Sequence, residues 1–270
     1  MSFHPLGLSD ELLSAVADSG YTEPTEIQRQ AIPLVLMGKD VVGVAQTGTG
    51  KTASFVLPLI DILAQGRSRA RMPRSLIIAP TRELADQVAQ NFEKYGKNHK
   101  LTMALLIGGV AFGDQDKLLE KGVDVLIATP GRLLDQFERG KILLSGVDIL
   151  VIDEADRMLD MGFIPDVERI CSLLGRNRQT LLFSATMPGP IKKLADKFMS
   201  SPKQIEAARQ SSTNENIEQH LIQVGPRSKR STLKKLLSQD EVTSAIVFCN
   251  RKKDIRGVAD TLSDLSLIHI

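Results

Sequence analysis

The sequence has no tryptophan, only two cysteines, and aromatic residues at 4% of its 270 positions. Each scarcity excludes something. Cys171 and Cys249 lie far apart with no CxxC spacing, so neither a disulfide framework nor a zinc ribbon is available, and a reducing compartment is expected. His4, His99, His220 and His269 are isolated, with none at metal-ligand spacing. No apolar run approaches the ~18 residues of a membrane span. The N-terminus, MSFHPLGLSDELL, lacks the basic region and apolar stretch of a secretory signal, so the cytoplasm is the expected location. Charge of one sign is also missing: 34 Lys and Arg against 32 Asp and Glu give a net +2, too little to announce a polyanion by bulk electrostatics. The balance is uneven along the chain. Residues 1–190 carry 20 basic and 23 acidic side chains (net −3), and residues 191–270 carry 14 and 9 (net +5).

What is present is a globular composition, 42% hydrophobic and 24% charged, in a length that suits two domains. Six short apolar runs, at residues 41–45, 76–79, 103–107, 123–128, 149–152 and 180–183, are each followed by a helix-like segment. That alternation predicts an α/β fold with a mostly parallel sheet covered by helices on both faces. A helical preface comes first. Ser9 caps a helix through Asp18 with Leu12, Leu13 and Val16 as its apolar stripe, and a second helix runs from Thr25 toward Met37 with Pro33 as a kink. The expected organisation is a helical segment over 1–30, a first domain over 31–208, a polar linker over 209–217 and an incomplete second α/β unit over 218–264. In that unit the pattern predicts strands at 220–224 and 245–249 and helices at 232–237 and 253–262. Leu-Ser-Leu-Ile-His-Ile at 265–270 can be back-translated as a transposon-end sequencing adapter and is read as a non-native tail. Met158 and Met161 are read as core side chains.

Between the first predicted strand and a helical run stand Ala45, Gln46, Thr47, Gly48, Thr49, Gly50, Lys51 and Thr52. A glycine-rich turn opening a helix presents successive backbone N–H groups to a triphosphate. In the usual pattern Lys51 reaches the β and γ phosphates and the Thr52 hydroxyl holds Mg2+, although Ala45 stands where the first glycine is expected. An ordinary glycine-rich turn is the bland alternative. The apolar run 149–152 ends in Asp153 and Glu154, and carboxylates beyond the C-terminal ends of parallel strands face the ligand crevice. Asp153 is placed to hold Mg2+, through water, and Glu154 to direct the attacking water. The competing reading is an acidic helix start that favours the macrodipole.

The glycine turn together with Asp153, Glu154, Ala155 and Asp156 resembles the DEAD-box RNA helicase family, most closely its bacterial RhlE-like group. Residues 20–28, GYTEPTEIQ, are similar to the family's Q motif, in which Gln28 would read the adenine edge with its paired amide donor and acceptor and Phe3 is the upstream aromatic. Pro80, Thr81 and Arg82, then Gly108 and Gly109, then Thr129, Pro130, Gly131 and Arg132 resemble the family's RNA-backbone motifs. Ser184, Ala185 and Thr186 resemble the motif that couples the bound nucleotide to RNA. The resemblance implies a RecA-like P-loop domain followed by the start of a second, ATP and Mg2+ as cofactors, catalysis through Glu154, Lys51 and Asp153, and RNA held mainly through its backbone as partner. Proteins of ribosome assembly or RNA decay are further candidate partners. It also implies arginine fingers from the second domain, and nothing after residue 250 matches those motifs, so no unwinding is expected from this chain alone. An ATP-gated RNA clamp shares every motif named. A small-molecule P-loop kinase is disfavoured by the Asp-Glu-Ala-Asp run. Arg67, Arg69, Arg71 and Arg74 form a basic loop, read as a solvated surface or as an auxiliary RNA contact.

Overall fold

The computed structural model describes residues 2–66, 71–207, 218, 220–225, 228–238 and 242–263. The chain divides into two compact units, Met1–Ser212 and Thr213–Ile270.

In the first unit, α1 (Asp10–Asp18) and α2 (Glu26–Leu36) precede β1 (Val41–Val44), α3 (Lys51–Ala64), β2 (Ser75–Ile78) and α4 (Arg82–Gly96). Then come β3 (Met103–Leu106), α5 (Phe112–Lys121), β4 (Val125–Ala128), α6 (Pro130–Glu138), β5 (Ile149–Ile152), α7 (Ala155–Asp160) and α8 (Ile164–Leu173). β6 (Gln179–Ser184), α9 (Gly189–Phe198) and β7 (Lys203–Glu206) complete the unit. As expected, the Ser9 hydroxyl caps α1, accepting from the Leu12 amide, while α2 continues through Pro33 to Leu36.

The strands pair in the order β3-β4-β2-β5-β6-β1-β7, every pair parallel. Side chains alternate between faces along each strand, and two cores follow. Ile77, Val151 and Phe183 join Leu12, Ile32, Phe55 and Val88 on the face covered by α1–α4. Leu76, Ile78 and Leu182 join Leu133, Met158, Ile170 and Leu194 on the face covered by α6–α9. Helices leaving β1 and β2 therefore pass to one face, and those leaving β4, β5 and β6 to the other. This creates crevices at the C-terminal ends of β1/β6 and of β2/β4, where open α/β sheets bind ligands.

The opposite end of the sheet is tied by buried carboxylates. Asp40 accepts from the amides of Thr180 (2.7 Å) and Ser200 (2.6 Å), joining β1, β6 and the approach to β7. Asp124 accepts from the Thr102 amide (3.0 Å) and hydroxyl (2.9 Å) and pairs with Arg74 (3.3 Å).

β7 was invisible to periodicity because only Ile205 of its four residues is buried. It forms because β1 offers it a ladder partner.

The second unit contains α10 (Lys229–Leu237) and α11 (Lys252–Ser263), covering both helices expected there. The two expected strands are corrected: residues 220–224 and 245–249 are not strands. A strand is stable only with ladder partners and a covered face, and Ile246 and Phe248 are 84% and 90% exposed. Residues 209–217 and 265–270, the linker and tail of the sequence reading, lie outside the described residues.

Candidate nucleotide site and nucleic-acid groove

Crossing from β1 to α3, the chain makes its turn with Gly48 (φ 85°) and Gly50 (φ 90°) in the left-handed region. The turn is pinned at both ends: the Ala45 amide donates to the Ser184 carbonyl (3.0 Å), and the Thr49 hydroxyl donates to the Gln46 carbonyl (2.6 Å). Gly50 caps α3, so Lys51 and Thr52 start the helix beside the turn. Thr47, Gly48, Gly50, Lys51 and Thr52 line a cleft of about 440 Å³ that also holds Phe3, Gln28, Asp153 and Glu154. Every residue of the sequence-read nucleotide site thus lies on one turn or on the cleft it borders.

Gln28 is buried and bridges two parts of this site. Its Oε1 accepts from the Thr25 amide (3.0 Å) and its Nε2 donates to the Gly50 carbonyl (3.1 Å). The amide closes the capping box of α2 and holds the phosphate-type turn, leaving one donor and one acceptor for a base.

At the end of β5 the chain reverses through Glu154, whose φ of 54° is left-handed in a residue with a full side chain. Such a conformation costs roughly 1–3 kcal/mol and is typical of functional sites. It carries the Glu154 carboxylate to 3.0 Å from Lys51 Nζ, with the lysine side chain 5% exposed. The contact is an ion pair without hydrogen-bond alignment, so the buried ammonium has no hydrogen-bond partner. Asp153 beside it is fully buried, and that burial, with the adjacent Glu154 charge, pushes its carboxyl up to about 7 against the pull of Lys51 and the Glu154 amide. A buried ammonium without a hydrogen-bond partner and a buried carboxyl whose desolvation outweighs the pull of Lys51 fit a phosphate and a divalent cation respectively.

Ser184, at the end of β6, accepts from the Asp156 amide (3.1 Å). Asp156 Oδ2 accepts from the Thr186 amide (3.0 Å) and hydroxyl (3.1 Å). Partial burial opposes the charge on Asp156, but hydrogen bonds from Ser184, Thr186, Ala185 and Arg157 outweigh it and hold its carboxyl below the usual range. The start of α7 and the end of β6 are therefore laced into one unit.

A second hollow, of about 500 Å³, opens at the β2/β4 ends. Pro80, Thr81 and Arg82 from the start of α4, Gly108 after β3, and Thr129, Gly131 and Arg132 at the start of α6 line it together. Gly109 has φ 81°, and a Cβ there would collide with the Arg82 guanidinium, so the glycine lets the arginine lie against the backbone. Arg132 donates to the Val110 carbonyl (3.0 Å). Pro130 is buried in the first turn of α6. Two helix N-termini and two arginines converging on a hollow suit a phosphate backbone.

Two readings need correction. Met161 is 46% exposed and lines this groove with Phe163, because α7 ends one residue before it; Met158 alone is core. Arg74 is committed to structure. It donates to the carbonyls of Leu63 (2.7 Å) and Gln65 at the end of α3 and pairs with Asp124, while residues 67–70 lie outside the described residues. Sequence reasoning also missed Leu84, Gln87, Val88, Asn91 and Tyr95, which line the nucleotide cleft. Their spacing on α4 is that of one helix face.

The fold and its turn define a RecA-like P-loop domain. A model of the DEAD/DEAH box helicase family matches residues 25–194, and the chain belongs to that family. It is 42% identical over 263 residues to the DEAD-box ATP-dependent RNA helicase CshA of Bacillus subtilis, covering 97% of this chain and 53% of that protein. Identity to the CshA of Streptococcus pneumoniae is 41% over 255 residues, covering 94% and 48%. Among solved structures, a DEAD box protein from Methanococcus jannaschii superposes with a TM-score of 0.71 at 40% identity, covering 98% of this chain and 70% of that one. The chain spans about half the length of the curated relatives it matches.

Proposed function

We propose that this chain is the nucleotide-binding half of an ATP-dependent RNA helicase core, cytoplasmic in location, which binds MgATP in the cleft at β1/β6 and an RNA backbone in the groove at β2/β4. The observation that carries this reading is the buried Lys51 ammonium, ion-paired with Glu154 at 3.0 Å but without a hydrogen-bond partner. With triphosphate present, Lys51 would turn to the β and γ phosphates, the amides of residues 47–51 would cradle them, and Thr52 with Asp153 would hold Mg2+. When bound, the cation neutralises charge on the phosphates. Glu154, released from Lys51, would orient the water, and Asp156 with Ser184 and Thr186 would carry the bound state toward the RNA groove. Phe3 and Gln28 would face the adenine.

Duplex unwinding would need γ-phosphate arginines from a second RecA-like unit, and the described part of residues 213–270 forms no such sheet. The RhlE-like grouping rests on the first helix and residues 155–163. Calorimetric titration with MgATP tests the reading. Lys51→Ala is expected to lower affinity at least tenfold, in line with loss of a charge-assisted contact; undiminished binding would contradict it.

A further inference from the structure

Ser9 is attached to α3 by both of its donors: its amide reaches Asp61 Oδ2 at 2.8 Å and its hydroxyl reaches Asp61 Oδ1 at 2.5 Å. His99, after α4, approaches the same carboxylate, with Nε2 4.0 Å from Oδ1. None of the three lines the candidate nucleotide cleft, and no role in the chemistry described above uses them. Six residues upstream of Ser9, Phe3 is buried at the base end of the nucleotide cleft. The connection between them is tight. A 3-10 turn at His4–Leu6 closes with the Leu6 amide on the Phe3 carbonyl (3.0 Å), and Gly7 reverses the chain with φ 86°. A fixed Ser9 therefore fixes Phe3.

Leu6, Leu8 and Leu12 are also buried, but apolar burial is non-directional and tolerates sliding. Beside this contact the segment borders an open hollow of about 820 Å³, lined in part by Gly7, Leu8, Ser9, Asp61 and His99, so packing is incomplete there. The paired hydrogen bonds set the register.

We propose that Asp61 is a positioning residue for nucleobase recognition. It clamps Ser9, and through the short turn it holds Phe3 at the base end of the cleft, so that base discrimination depends on a carboxylate outside the nucleotide site. This rests on the reading that the cleft takes ATP with its base at Phe3 and Gln28.

The test measures dissociation constants of the full chain for MgATP, MgGTP and tripolyphosphate. Asp61→Ala is expected to weaken ATP binding about five- to tenfold, to narrow the preference for ATP over GTP, and to leave tripolyphosphate binding unchanged. A merely structural defect would lower all three together. Phe3→Ala should act in the same direction, and adding Asp61→Ala to it should cost nothing more, because both act through one contact. Should Asp61→Ala fail to fold, Ser9→Pro removes both donors, and with them the α1 cap, while keeping the native φ of −64°; the same outcome is expected, with unchanged tripolyphosphate binding separating it from a structural defect.

Wild-type ATP affinity and base preference in the Asp61 or Ser9 variant, with Phe3→Ala impaired, would overturn the clamp. Equal losses for tripolyphosphate would overturn it as well. An unaffected Phe3→Ala would instead remove the base-end reading beneath it, and the clamp would fall with that reading.

Discussion

Two kinds of buried carboxylate occupy opposite ends of one sheet, and their surroundings separate structure from chemistry. Asp40, at the N-terminal end of β1, is satisfied by two backbone amides. Asp40→Ala would leave both unpaired and is expected to cost about 2–4 kcal/mol of stability, read as a lowered melting temperature with MgATP affinity unchanged. Asp153, at the C-terminal end of β5, is raised to about 7 by burial. The folded, nucleotide-free chain then binds a proton that the unfolded chain releases near pH 4. Its contribution is complete below pH 4 and disappears as pH rises through about 7. Asp153→Asn is therefore expected to flatten the fall in thermal stability between pH 4 and 7, measured in chelator without nucleotide; an unchanged profile would contradict the assignment. Gly50 adds a steric case. Its φ is 90° and a Cβ would collide with the Gln28 amide, so Gly50→Ala is expected to lower MgATP affinity more than tenfold while the fold survives.

At the scale of elements, α4 borders both hollows through Arg82 and Leu84, and α7 runs from one to the other. Glu154 at its start pairs with Lys51, and Met161 just past its end lines the groove. Met161→Ala is expected to weaken single-stranded RNA binding roughly fivefold, the effect of losing about 1 kcal/mol of apolar contact, with MgATP affinity intact; a fluorescence anisotropy titration reads this. The sequence shows the ends of such elements better than their environment. The runs at 41–45 and 149–152 and the glycine turn mark the residues that line the candidate nucleotide cleft, because strand, turn and chemistry are contiguous there. The sequence reads Met161 as core because methionine in an apolar stretch usually packs, and nothing local marks where a helix stops short of a groove. Arg74 resembled a free surface charge because its acceptors, Leu63 and Gln65, are carbonyls supplied by the end of another helix. β7 and the unformed strand at 245–249 fail for the same reason in opposite senses. Ladder partners decide strands, and periodicity does not record them.

For the molecule as a whole, the fold places a nucleotide cleft and a nucleic-acid groove at two reversals of one parallel sheet, joined by β5, α7 and the Ser184–Asp156–Thr186 lacing. On the proposed function, that arrangement binds both partners and connects them. On the proposed reading the γ-phosphate also needs arginines of the kind that accelerate phosphoryl transfer by about 10^3 to 10^5 in related systems, and the described residues of 213–270 form no second sheet to carry them. The decisive measurement is steady-state ATP hydrolysis by the 270-residue chain, with and without single-stranded RNA, against Glu154→Gln as the blank. Detectable MgATP binding and no RNA-stimulated turnover above the blank are expected. Clear RNA stimulation that Glu154→Gln abolishes would show that the chain supplies its own γ-phosphate contacts, and would contradict the view of this domain as half of an active site.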